Sequence, residues 1–348
     1  MGSEGQTASN RVPEVPVATH CSYLEIFKTH RSLFSGGPHF LEQMTKSVTS
    51  SLPVQAIRRN IDEVGILQGL KQWGTKAYLR KVKSVSGINY FDKEWDVLVV
   101  LDACRYDLLV DVQDEYRFIS DIGSRISLGS ATWEWMPATF KSTPESVLKE
   151  TAYVCGNPYS AQFLEEDSFL RLDEVWSYAW DDQLGTVPPR PVTDRAIAAG
   201  RELNAERMVV HYMQPHVPFI NSSDSPGLSK NFHGDDTTDD WNLVKSGEKD
   251  IDQVMTEYRD NLRAVLSEVE ILLSNIDADR VVVTSDHGNA TGEYGLFGHN
   301  DQVPIQALYK VPWVEVSASD TGEHVPEEYH IDETTDQVDS RLKALGYK

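Results

Sequence analysis

The sequence predicts an α/β protein, with a mostly parallel sheet covered by helices on both faces. Three observations carry that expectation. Short, continuous apolar runs alternate with runs of helical spacing, as buried parallel strands and their crossover helices do. Several of the apolar runs stop abruptly at Asp, His or Gly-containing turns, where open α/β sheets place their ligands. The chain has 348 residues, 40% of them hydrophobic, which is enough for one large core.

The elements follow in order. Residues 1–18 read as a disordered tail, and residues 19–90 as a helical extension with amphipathic pieces such as 54–59 and 66–73. From Trp95 onward the text changes. Asp96–Leu101 is a continuous apolar strand, and 117–122 reads as a second. Residues 151–155 form a strand ending at Gly156-Asn157, and Arg207–Tyr212 forms another. Residues 144–150 and 192–204 are helical. The Ser-, Asp-, Gly- and Asn-rich stretch 221–250 reads as a long loop or lid. A long helix is expected over 252–275, from Leu262, Val265, Leu266, Val269, Leu272 and Leu273 at helical spacing. It leads into the β-branched strand Arg280–Thr284. A last strand is expected at 313–316 and a short helix at 336–345.

Charge narrows the partners. The formal net charge is −22, which argues against a nucleic-acid ligand, since phosphate backbones need Lys and Arg. The distribution is uneven: residues 1–95 carry net +4 and the remainder net −26. The basic segment 19–90 is expected to dock on the acidic domain, to form a homo-oligomer contact, or to face an anionic membrane peripherally. The acidic excess suits a halophilic protein in a salt-rich cytoplasm. Three cysteines, Cys21, Cys104 and Cys155, give no disulfide framework and suit a reducing compartment. No apolar leader and no membrane span stands out. A cytoplasmic protein is the resulting expectation.

Four pieces carry chemistry. The strand 280–284 stops at Ser285-Asp286-His287-Gly288, and Asp102 directly follows the strand 96–101. If these strands are parallel neighbours, two carboxylates and an imidazole converge, and like charges held that close call for a cation between them. Arg105, three residues after Asp102, is either an anion-binding fork or a surface partner of Asp107 or Asp111. In the hydroxyl-rich run 124–132, Thr132 is either the cap of a helix starting near Trp133 or a nucleophile activated by a metal. His216 stands between Pro215 and Pro218 on a stiff loop and is a candidate anion binder or leaving-group acid. His211, inside a strand, reads as a hydrogen-bonded core histidine. His299 follows twelve residues after His287 on a Gly-rich loop and is a further candidate ligand.

In this order the pieces resemble the alkaline phosphatase superfamily, in its sulfatase-like branch, over roughly residues 96–312. Thr284-Ser285-Asp286-His287-Gly288, followed by Gly292-Glu293-Tyr294-Gly295-Leu296-Phe297-Gly298-His299, is similar to the sulfatase segment S-D-H-G…G-E-x-G-L-x-G. Gln214-Pro215-His216-Val217-Pro218-Phe219 is similar to its H-x-P-F/Y loop. The resemblance implies an alkaline-phosphatase-like three-layer α/β/α sandwich over 91–348. It implies a divalent metal (Zn, Mn or Ca) held by Asp102, Thr132, Asp286 and His287. It implies hydrolysis of a small-molecule phosphate ester, or less readily a sulfate ester, by a Thr132 nucleophile, with Arg105, His216 and His299 around the transferred group. A phospho-group transferase acting on lipid- or sugar-linked phosphate, or a non-catalytic relative, is the alternative.

The chain also departs from that pattern. Cys104 lacks the C/S-x-P-x-R setting of a formylglycine precursor. His299 stands where sulfatases often carry Lys, as in the cofactor-independent phosphoglycerate mutases, whose late His binds a metal. This leaves open a second metal at His216 and His299.

Overall fold

A computed structural model describes residues 66–82, 85–227 and 239–329. The expected tail 1–18, the extension up to residue 65 and the expected helix 336–345 lie outside the described residues.

The apolar runs become a seven-stranded sheet. Its strands are β1 (Val97–Leu101), β2 (Gly123–Ile126), β3 (Thr151–Cys155), β4 (Arg171–Glu174), β5 (Arg207–Tyr212), β6 (Ala278–Thr284) and β9 (Lys310–Ala318). A separate two-stranded ribbon pairs β7 (Ala290–Thr291) with β8 (Phe297–Gly298). The order across the main sheet is β2-β9-β6-β1-β5-β3-β4. All pairings from β6 to β4 are parallel, and only β9 runs against its neighbours.

Period-two alternation explains why continuous apolar strands are needed. Val97, Val99 and Leu101 enter one buried cluster, while Leu98 and Val100 enter another. β5 and β6 divide in the same way: Val210 and Val283 lie on the first side, Val209 and Val282 on the second. Both faces of the sheet are therefore covered, and a polar residue within these strands would face an apolar layer on either side.

Helices supply the covers. α1 is Ile66–Val82, α2 Tyr106–Val112, α3 Thr132–Phe140, α4 Pro189–Glu202, α5 Asp240–Ser246 and α6 Ile251–Leu273. The stripe Val254, Tyr258, Leu262, Val265, Leu266, Val269 and Leu272 on α6 joins Leu108, Leu109 and Val112 of α2 and Val192, Ala196 and Ile197 of α4. On the other face Trp135, Met136 and Phe140 of α3 meet Tyr90, Phe91 and Trp95. These are the three layers of an α/β/α sandwich.

Two expectations about elements are corrected. The run 117–122 is not a strand; β2 begins at Gly123. Tyr116 and Ile119 are buried in the core cluster and are joined by a turn hydrogen bond, so the apolar pattern there reflects packing rather than pairing. The stretch 221–250 is not loop throughout, since α5 forms inside it. Asp239 caps the helix by accepting from the Asn242 N–H at 2.7 Å, and Gly247, at φ 80°, ends it in the left-handed region. Residues 228–238 lie outside the described residues.

Candidate metal centre and nucleophile

β6, β1 and β5 are neighbours in the middle of the sheet, so the residues that follow them meet at one carboxyl edge. Asp102 leaves β1, Asp286 and His287 leave β6, and the His216 loop leaves β5. The backbone ties these exits together. The Asp102 N–H donates to Tyr212 O, and the His216 N–H to Asp102 O at 3.1 Å. Ala103, the next residue, takes a positive φ of 59°, which turns the chain sharply out of the strand. Gly288 is required for a different reason: a Cβ there would lie 2.2 Å from Ala307 O.

Asp102, Asp286 and His287 form the one group of three or more His, Cys, Asp or Glu ligand atoms with metal-site spacing among the described residues. One ligand atom from each lies within 4.8 Å of the others. All three are buried, as is Thr132. Thr132 is the first residue of α3. Ala131 stands at the cap position, and the Thr132 hydroxyl caps nothing. Instead it donates to Asp286 Oδ2 at 2.7 Å and lies 3.3 Å from His287 Nε2 and 3.5 Å from Asp102 Oδ2.

His287 Nδ1 lies 2.8 Å from Gly288 O, which can only accept, so Nδ1 carries a proton and Nε2 is the ring nitrogen turned toward the acid pair. Nε2 faces Asp102 Oδ1 and Asp286 Oδ2, both at 3.5 Å. Asp102 Oδ1 is buried and has no hydrogen-bond partner. Two carboxylates and an imidazole thus converge with one buried oxygen unsatisfied. Burial, and then the neighbouring Asp286 charge, push the Asp102 carboxyl well above the ordinary range. Burial also works against the Asp286 charge. It is outweighed by His287, His211, the Thr132 hydroxyl and the Ala103 N–H, which hold that carboxyl below its usual value. A divalent cation fits this donor set, because it would meet the orphan oxygen and the inward-facing imidazole nitrogen at once.

The other sequence candidates divide. His216 and His299 come together, with Nε2 atoms 3.0 Å apart. His216 Nδ1 donates to Val217 O at 2.6 Å, and burial pushes the His216 pKa down to about 4. The His299 ring packs edge-on against His287 at 5.3 Å and against Trp133 at 4.8 Å. His299 is outside the three-residue ligand group and adjoins it.

Arg105 goes elsewhere. Its guanidinium pairs with Asp107 at 2.5 Å and Glu293 at 2.7 Å, and donates to Asn289 O and the Thr291 hydroxyl. None of these partners belongs to the Thr132 group. The Asp107 partnership offered as the alternative for Arg105 forms, and with Glu293 it makes a buried staple between the segment after β1 and the loop after β6. His211 is the hydrogen-bonded core histidine that the sequence suggests, 2.8 Å from the Tyr153 hydroxyl.

Two residues not singled out from the sequence complete the centre. Asn157 Nδ2 donates to Asp102 Oδ2 at 2.6 Å, and its own Oδ1 accepts from the Tyr159 N–H, which fixes the amide orientation. Ser285 Oγ accepts from the Cys104 N–H at 2.8 Å and donates to His287 O at 2.5 Å, tying the β1 and β6 exits together. Ser285 obeys the same rule as Asp102, a polar residue directly after a buried strand, and Asn157 stands one residue further out, after Gly156.

The sequence matches no known family profile and no curated protein. Solved structures do resemble it. The soluble domain of lipooligosaccharide phosphoethanolamine transferase A from Neisseria meningitidis aligns over 71% of this chain and 81% of its own, at 14% identity and a TM-score of 0.43. The periplasmic domain of phosphoethanolamine transferase EptC from Campylobacter jejuni covers 64% and 78%, at 16% identity and 0.43. A putative sulfatase from Bacteroides thetaiotaomicron covers 72% and 70%, at 11% identity and 0.40. Transferases and sulfatases of this kind are members of the superfamily that the sequence resembles. The cytoplasmic expectation is corrected at this point: the similar transferase structures are periplasmic or soluble domains of membrane enzymes, which points away from the cytoplasm. Among the described residues no helix is long and apolar enough to cross a membrane.

Proposed function

We propose that this protein is a metal-dependent phosphoesterase that uses Thr132 as its nucleophile. The observation that carries the reading is the Thr132 hydroxyl, buried, donating at 2.7 Å to Asp286 and lying 3.3 Å from Nε2 of His287. Asp102, Asp286, His287 and the Thr132 oxygen would hold the metal. When bound, a divalent metal supplies Lewis acidity at the phosphoryl oxygens and lowers the pKa of the hydroxyl.

The protein's own groups account for the rest. Asp286 Oδ2 takes the Thr132 proton as the Oγ–P bond forms and the bond from phosphorus to the leaving oxygen breaks. The N-terminal end of α3 favours the negative charge on the transferred group. His299, whose ring packs beside His287 with its Nε2 against His216, is placed to protonate the departing alkoxide. Water attacking the phosphothreonine returns Thr132 and releases phosphate; an acceptor alcohol in place of water would make the protein a transferase. Phosphate is favoured over sulfate because the nucleophile position holds Thr, and because Cys104 is buried with its thiol pushed above the ordinary range.

The test is turnover of 4-nitrophenyl phosphate, its diester and its sulfate, with Zn, Mn or Ca added after EDTA treatment. Thr132→Ala is expected to cut phosphoester turnover by about 10³-fold or more while metal binding persists. Rapid quenching should trap one phosphoryl group on Thr132 of the wild type. Added alcohols that raise the turnover of phosphoenzyme would identify the transferase. Unchanged turnover in Thr132→Ala would remove Thr132 from the reaction, and no turnover with any metal would leave a binding protein.

A further inference from the structure

α1 stands apart from the rest of the chain in both charge and exposure. It carries Lys71, Lys76, Arg80 and Lys81 and no acidic residue, in a protein of net charge −22. Six large apolar side chains are exposed among the described residues. Trp73 (39%), Tyr78 (65%) and Val85 (36%) lie on or just after α1. A fourth, Tyr294 (49%), adjoins Gly295, which α1 contacts.

The helix is oriented by its buried side. Gln72 and Leu79, seven residues apart on one face, are buried. Gln72 donates to Gly295 O at 3.1 Å, and Leu79 packs with Leu296, Val303, Ile305 and Leu308. Arg80 donates to Asp301 O. Through these contacts α1 is seated on the loop that carries His299. The opposite stripe, Trp73, Ala77 and Lys81 at spacings of four, faces outward with Tyr78 beside it.

We propose that this outward face of α1 is a docking surface for an anionic lipid bilayer. Trp and Tyr have apolar bodies and polar tips, and they settle at the boundary between hydrocarbon and headgroups. Cations with no acid among them are drawn to anionic headgroups. The rest of the molecule, strongly acidic, is repelled by the same surface, which confines contact to α1 and fixes the orientation. The helix then lies between the bilayer and the His299 loop, roughly 10 Å across. The proposal stands on this face alone and does not depend on the phosphoester reading.

The experiment is sedimentation of the full chain with vesicles of phosphatidylcholine, with and without phosphatidylglycerol. Binding is expected only with phosphatidylglycerol, and it should weaken as salt rises. Lys81→Glu should weaken it by about thirtyfold, as expected for reversing one charge near the surface. The double variant Trp73→Ser/Tyr78→Ser should abolish it while the far-UV CD spectrum is unchanged. No sedimentation with either vesicle overturns the proposal. So does binding that both variants leave intact, which would put the contact elsewhere. Concentration-dependent self-association lost in the double variant, without vesicle binding, would show that a second copy of the chain covers this face and would likewise overturn it.

Discussion

Asn157 donates to Asp102 Oδ2 at 2.6 Å and leaves Asp102 Oδ1 as the oxygen without a partner. The amide thereby chooses which oxygen of the carboxylate turns toward His287. Partners that orient a ligand in this way are typically worth ~10–100-fold in metal affinity. Asn157→Ala is expected to weaken zinc binding by that amount in a competition titration with a chelating dye. An affinity equal to that of the wild type would show that Asp102 is oriented by the strand alone.

Metal should also stabilise the fold, because the site exists only when β1 and β6 are paired. At a metal concentration ~100 times Kd the gain is about 2.7 kcal/mol. A rise of several degrees in Tm on adding metal to EDTA-treated protein is the expected signal. Asp102→Asn should remove the rise. A rise that survives this change would locate the stabilising metal away from this centre.

Arg105→Met separates a staple from a substrate contact. Arg105 is nearly buried, but its partners Asp107 and Glu293 reach solvent, with side-chain exposures of 63% and 32%. The loss is therefore expected to be about 2 kcal/mol in urea unfolding, below the range for fully buried pairs. Turnover of an aryl phosphate should stay within about tenfold of wild type. A collapse of kcat with unchanged stability would put the guanidinium on the substrate after all.

His211 gives a pH dependence. Burial pushes its pKa from 6.5 down to about 4. The unfolded chain therefore takes up this proton at a higher pH than the folded one. The His211 contribution is complete above pH 6.5 and is lost as pH falls toward 4, by about 3 kcal/mol in all. His216 is held down in the same window. In metal-free protein, His211→Phe should flatten the fall in urea midpoint between these pH values. An undiminished slope would assign the effect to other groups.

Much of this arrangement is legible in the sequence, because one rule places most of it. A polar residue in the first few positions after a buried strand lies at the carboxyl edge of the sheet, and Asp102, Asp286 and His287 all follow that rule. Thr132 needed the resemblance as well, since a Thr at the start of a helix more commonly caps it. What the sequence hides are partners far apart along the chain. Arg105 meets Glu293 across 188 positions, and nothing local marks the pair. Asp107, two residues away, is visible but accounts for only half of the staple. The strand expected at 117–122 fails for a related reason: apolar residues that pack beneath a helix look the same as those that alternate in a strand. α5 was obscured by the polar residues around it, although Asp239 and Gly247 mark its two ends.

Asp102, Asp286 and His287 follow two adjacent central strands, β1 and β6, with paired strands on both sides. Local opening of a sheet begins at its edges, so this part of the molecule should exchange its amide hydrogens only when the whole domain unfolds. The chemistry is therefore built into a stiff element that tolerates little adjustment. Trp133, Tyr159, His216 and His299 lie around it on helix starts and loops. Selection for a new substrate can act on that rim while the centre that would break the ester bond stays as it is.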